Sequence, residues 1–118
     1  MPGINPVVVT SIKLDIADLI KRERDLWTRK GFSQGEAVVG IAKAMGKTPA
    51  FVYAQLSVTE LPNEITGLMR VKPIAIGLAL KVWKDSDGNI AKTKETLLLA
   101  CEKAKFEGAK KVMPKHIN

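Results

Sequence analysis

Between residues 47 and 57 the chain sets Lys47, Thr48, Pro49, Ala50, Tyr53, Ala54, Gln55 and Ser57. The spacing places a cation and a hydroxyl at the start of a helix and small, neutral side chains along one of its faces. A lysine, a hydroxyl and the unpaired amides of a helix start can hold phosphate oxygens. A face of little bulk and no charge can come close to base edges in a groove. The expected chemistry is therefore contact rather than bond-making, with Lys47 and Thr48 on the phosphate backbone and Pro49, Ala50, Tyr53, Ala54, Gln55 and Ser57 toward the groove floor. Phosphate contacts fix position, whereas base edges carry sequence information. This segment holds no Arg and no Asn, and Gln55 is its only amide. Paired hydrogen bonds from an arginine to guanine cannot come from it. Either its specificity is weak or part of it comes from beyond the segment, with Arg70 and Lys72 the best candidates.

These residues need two helices and a tight turn to present them. Residues 33–58, SQGEAVVGIAKAMGKTPAFVYAQLSV, supply both. Ser33 and Glu36 have the spacing of a capping box, and Thr48-Pro49 that of a capping hydroxyl followed by proline at the first helical position. Gly46 can adopt the left-handed conformation that ends one helix and turns into the next. Ala42 is small enough to let the second helix cross closely, and Val52 and Leu56, one turn apart, form that helix's buried stripe. The spacing predicts a helix-turn-helix, a motif that sets its second helix into the major groove of DNA. The same spacing also suits an ordinary helical hairpin in a bundle.

Composition bounds the remaining possibilities. At 118 residues the chain allows one domain with a modest core. Its net charge of +7 is unevenly spread: residues 61–118 carry eleven Lys/Arg against six Asp/Glu, and residues 1–60 eight against six. Such an excess favours a polyanionic partner, although an acidic membrane surface or solubility would also account for it. One cysteine, Cys101, and one histidine, His116, make neither an internal disulfide nor a Cys/His zinc site, and no cofactor is expected. Cys101 lies in an apolar run and reads as a buried structural thiol. An enzyme is disfavoured: no paired carboxylates in a cleft-like context, no nucleophile–histidine set and no glycine-rich phosphate loop appear. Gly46-Lys47-Thr48 has the end of such a loop, but Ile41 stands where its earlier glycine is required. No apolar run reaches membrane-spanning length and no signal peptide is evident, so the expected location is cytoplasmic and no membrane partner is expected.

Residues 1–13 hold two prolines, a glycine and the β-branched run Val7–Thr10, which suits an extended arm, a short strand or a linker. Helical periodicity starts at Leu14 and runs to about Lys30, where Gly31 stops it. After the motif, Pro62 is placed to be the first residue of a short helix. Val71-Lys72-Pro73 breaks the chain again before an apolar helix containing Gly77, whose apolar side chains and Trp83 read as core. Asp85-Ser86-Asp87-Gly88-Asn89 is a turn rather than a calcium loop, since loop position twelve is Thr96. A last helix begins near Thr93 as its cap and runs to Gly108, followed by a basic tail. The expected architecture is all-α, a small bundle of about six helices with short loops, the domain proper spanning residues 14–118.

The segment GKTPAFVYAQLSVTELPNEI, Gly46 to Ile65, resembles the central DNA-binding domain of ParB-type partition proteins, including the KorB-type plasmid repressors. It is similar in the turn glycine, the Gly-Lys-Ser/Thr that opens the recognition helix, the Val–Leu stripe and the Leu-Pro-x-x-Ile that begins the next helix. The broader likeness runs over roughly residues 14–110. Ser33-Gln34 stands about one helical turn further from Gly46 than is usual in that family. The resemblance implies sequence-specific double-stranded DNA binding, in plasmid or chromosome partition or in transcriptional repression. It also implies partial readout from outside the motif, a palindromic or repeated site, and a homodimer on DNA or through domains absent from this chain. The family's nucleotide-binding and dimerisation domains do not fit in this length, so nucleotide-dependent clamping is not carried over. A helical protein-interaction module without DNA binding is the rival expectation.

Overall fold

A computed structural model describes residues 5–117. Among these residues the chain forms six α-helices and one 3-10 turn, with no strand, which makes it an all-α bundle. It divides into two compact units, one comprising residues 14–60 and the other the chain up to Lys13 together with everything from Leu61 onward. No helix among the described residues is long and apolar enough to cross a membrane.

Helix α1 spans Pro6–Arg29, so the β-branched run expected to be extended is helical. Local and tertiary causes combine here. Pro6 occupies the first helical position, where its missing N–H costs nothing, and the Asn5 side chain accepts from the Val7 amide at 2.9 Å. One turn on, Thr10 is buried, and its hydroxyl donates to the Ile74 carbonyl at 3.3 Å. Burial of this turn against the segment around Ile74 outweighs the weak β preference of Val7–Val9. Residues 1–4, which were also expected to belong to an arm, lie outside the described residues.

In the unit of residues 14–60, α1 continues to Arg29 and ends at Gly31, whose φ of +98° is open to glycine at little cost. Helices α2 (Gln34–Met45) and α3 (Pro49–Val58) follow. Ile20, Val38, Ile41, Ala42, Val52 and Leu56 form their shared core, with Ile16 and Phe51 packed at its edge. Gly40 is set by its neighbour: a Cβ there would stand 2.2 Å from the Trp27 ring. That ring in turn tilts against Phe32 with centroids 5.0 Å apart, closing the α1–α2 connection.

The other unit contains α4 (Asn63–Met69), α5 (Ile76–Asp85) and α6 (Ile90–Phe106), then a 3-10 turn at Pro114–His116. Ile65, Met69, Ile74 and Leu97 are its largest fully buried apolar side chains. Three helix starts differ from the sequence expectation. Pro62 is the N-cap of α4, one residue before the helix. The helix after Pro73 begins only at Ile76, because Ile74 is spent as a buried anchor in the connection. Its leucines and Trp83 are half-buried, while Ala79 and Val82 are the fully buried positions. Helix α6 starts at Ile90, capped by Asn89, whose Oδ1 accepts from the Lys92 amide at 2.9 Å. Thr93, expected as the cap, is fully buried inside the first turn and donates to the Asn89 carbonyl at 2.7 Å.

The basic tail is tied down rather than loose. The Val112 amide donates to the Pro73 carbonyl at 2.9 Å, and His116 is buried. Its Nδ1 accepts from the Met113 amide at 2.8 Å, which leaves the proton on Nε2 to donate to Glu107 at 2.6 Å. This hydrogen bond from His116, helped by Lys115, holds the Glu107 carboxyl below its usual range.

Candidate nucleic-acid interface

The candidate residues from 47 to 57 occupy one continuous stretch whose local conformation follows from its capping groups. The Ser33 hydroxyl accepts from the Glu36 amide at 3.1 Å, and the Ser33 amide donates to the Glu36 carboxylate at 3.0 Å. Hydrogen bonds to the Glu36 carboxylate, from the Ser33 amide foremost and then from the Ser33 side chain, lower its pKa. At the other end of α2, Gly46 has φ of +67°, and the Lys47 amide donates back to the Ala42 carbonyl at 2.9 Å. The chain leaves that turn directly into Thr48, whose Oγ1 accepts from the Phe51 amide at 3.2 Å. Pro49 then takes the first position of α3.

Helix α3 has two unlike sides. Val52 is fully buried and Leu56 nearly so, facing Ala42 and its neighbours. Ala50, Tyr53, Ala54 and Ser57 are exposed, Tyr53 at 47%, and Gln55 is half-buried at the flank. The exposed side carries no charge between Pro49 and Val58. Lys47, Thr48 and Pro49 are exposed ahead of it.

Two details refine the donor inventory. Ser57 Oγ donates to the Tyr53 carbonyl at 3.1 Å, so its hydroxyl faces outward mainly as an acceptor. In the first turn of α3, Pro49 has no amide hydrogen and the Phe51 amide is taken by Thr48, which leaves the Ala50 amide for an outside acceptor. A third detail is a contact that sequence reasoning missed: Lys47 Nζ lies 5.5 Å from the centre of the Phe51 ring. The four-residue spacing of a cation and an aromatic was the available signal. This contact restrains the ammonium near the start of α3.

Arg70 and Lys72 lie in the unit that begins at Leu61 and are described within it. Arg70 is half-buried at the C-cap of α4 and makes further polar interactions of its own. Lys72 is exposed, and its charge acts on Cys101. Burial pushes the Cys101 thiol up, and the lysine only partly offsets this. Cys101 is half-buried rather than fully enclosed. Among the described residues, no group of three or more His, Cys, Asp or Glu side chains gathers to hold a metal ion.

Compared with protein-family models, with curated proteins and with solved structures, the chain matches none.

Proposed function

We propose that the chain binds double-stranded DNA sequence-specifically, using α2 and α3 as a helix-turn-helix with α3 as its recognition helix. The observation that carries this reading is the exposed side of α3: Ala50, Tyr53, Ala54 and Ser57, uncharged and, Tyr53 apart, small, directly after Lys47 and Thr48. Lys47 and the Ala50 amide take phosphate oxygens, with Thr48 donating its hydroxyl hydrogen while its lone pair caps the helix. Pro49, Ala50 and Ala54 let the helix sink into the groove, and Tyr53, Gln55 and Ser57 meet base edges. Arg70 and Lys72 supply further contacts beyond the motif. The resemblance of residues 46–65 to ParB- and KorB-type domains favours the role of a partition-site or operator binder. The net charge of +7 agrees with a polyanionic partner.

Selection of bound duplexes from a random pool, followed by titration of a selected and a scrambled duplex, tests this directly. Lys47→Ala should weaken both duplexes alike and flatten the salt dependence by about one charge. Arg70→Ala should relax preference for the selected duplex by roughly 1–3 kcal/mol. Unchanged binding by both variants would overturn the assignment.

One observation favours a second reading, a protein-interaction module. Leu19, Leu26, Phe32, Val39 and Met45 are all exposed in the unit of residues 14–60, and Leu19, Trp27 and Met45 line an apolar groove of about 430 Å³. Under that reading no duplex from the pool is retained at moderate salt.

A further inference from the structure

The row of residues four apart along α6 reads Ile90, Lys94, Leu98, Glu102, Phe106. Residues at this spacing form one continuous ridge on a helix surface, the kind that packs against a like ridge of another helix. All five are exposed, and Phe106, at 95%, lies almost entirely outside the core. The row also spans the helix from its first residue to its last, with Leu98 at its midpoint. Neither Lys94 nor Glu102 has an ion-pair partner among the described residues.

We propose that this ridge is a self-complementary interface, and that its occupant is the α6 ridge of a second copy of the chain, running antiparallel about a twofold axis at Leu98. The argument is one of charge and order. A twofold axis at Leu98 sets each residue against the one equally far on the other side. Lys94 then meets Glu102 of the second copy, and by symmetry Glu102 meets its Lys94, about 6 Å along the helix from the axis. At about 12 Å, Ile90 and Phe106 lie about 80° round the helix from Leu98 and flank the contact. Leu98 meets Leu98. Opposite charges thus face each other twice on either side of the Leu98 pair, with no like charges opposed along the row. Leu99, half-exposed beside Leu98, widens the apolar centre. A shallow depression of about 390 Å³ between Lys94, Leu98 and Glu102 gives the facing side chains somewhere to sit. The buried stripe of the same helix, Thr93, Leu97, Ala100 and Ala104, is already used by the unit's own core, so self-association leaves the fold intact. The inference stands independently of DNA binding.

Sedimentation equilibrium of the full chain from low micromolar to several hundred micromolar tests it. The expected result is a monomer–dimer equilibrium. Lys94→Glu sets two carboxylates against each other at both ends of the interface, and Glu102→Lys does the same with two ammonium groups. Each should raise the dissociation constant by roughly tenfold. An equimolar mixture of the two variants should restore association as a heterodimer, because each variant now carries the charges the other lacks. Leu98→Asp should leave a monomer throughout, with helix content and melting temperature close to the parent's. A parent chain that stays monomeric at every concentration overturns the proposal and reassigns the ridge to another partner. A dimer indifferent to the charge variants overturns it too, placing the contact elsewhere.

Discussion

Helices α3 and α6 both turn apolar side chains outward, yet the two exposed sides are built differently. On α3 the outward residues are small or flat and neutral, and the nearest charges, Lys47 and Glu60, sit just outside its two ends. On α6 leucine and phenylalanine alternate with charges of both signs along one row. A neutral, slim side suits a partner that brings its own charge in the form of phosphates and must be approached closely. A row with matched charges suits a partner of equally mixed surface, and a second copy is the simplest of these. The contrast shows that exposure alone says little; the order of charge and bulk along the helix distinguishes the two sides.

The sharpest way to break the contrast is to compare neighbours on opposite sides of one helix. Leu97→Ala, at a fully buried position, should cost about 2–5 kcal/mol in denaturant unfolding. Leu98→Ala, one residue on but exposed, should stay within about 0.5 kcal/mol of the parent. Equal costs would mean the outward side of α6 is also structural.

The corresponding pair in the other unit is Ala42 and Tyr53. Ala42→Leu forces bulk into the cluster with Val52 and Leu56 and should destabilise by about 1–3 kcal/mol. Tyr53→Ala should leave thermal stability nearly unchanged while weakening the proposed DNA binding. A melting temperature lowered equally by both would remove the case for α3 having a free side.

Two glycines offer a comparison of opposite sign. A Cβ on Gly40 meets Trp27, so Gly40→Ala should lower stability by about 1–3 kcal/mol. A Cβ on Gly77 meets nothing within 4 Å, so close packing does not require that glycine. Gly77→Ala should then stabilise by about 0.4–1 kcal/mol through the unfolded chain.

The smallest expected effect concerns pH. Glu107 has a lowered pKa in the folded chain, so the His116–Glu107 tie is fully present above the usual carboxylate range. It is lost as pH falls through the lowered value, below the usual carboxylate range. Amide resonances of Val112 and His116 should shift together in that window, and Glu107→Gln should remove the transition.

How much could be read in advance differed between the two units. The α2–turn–α3 segment was legible because its signals are short-range: Ser33 with Glu36, Gly46, Thr48 with Pro49, and Val52 with Leu56 act within a few residues or one turn, and Ala42 meets that pair across a single tight turn. The neutral outward side of α3 followed from helical periodicity once those ends were fixed. In the other unit the helices were expected in the right order, but their starts slipped where a distant partner decided. Thr10 is held by Ile74, 64 residues away, and this tertiary packing accompanies the helical start of α1 where β propensity pointed to extended chain. Val112 is held by Pro73, which no local pattern announces. Asn89 and Thr93 were both plausible caps for α6, and the burial of Thr93 chose between them.

The sequence by itself therefore determined the helical class, the caps and glycine turn between α2 and α3, and the lack of charge along α3. These are set by groups that meet within about one helical turn, where the chain itself brings them together. Only the tertiary structure decided that the turn around Thr10 is buried, that the basic tail is pinned through His116, and that the row from Ile90 to Phe106 is left outside the core. Each of those depends on which apolar surfaces are covered by remote segments, and coverage is a property of the packed molecule that no local spacing encodes.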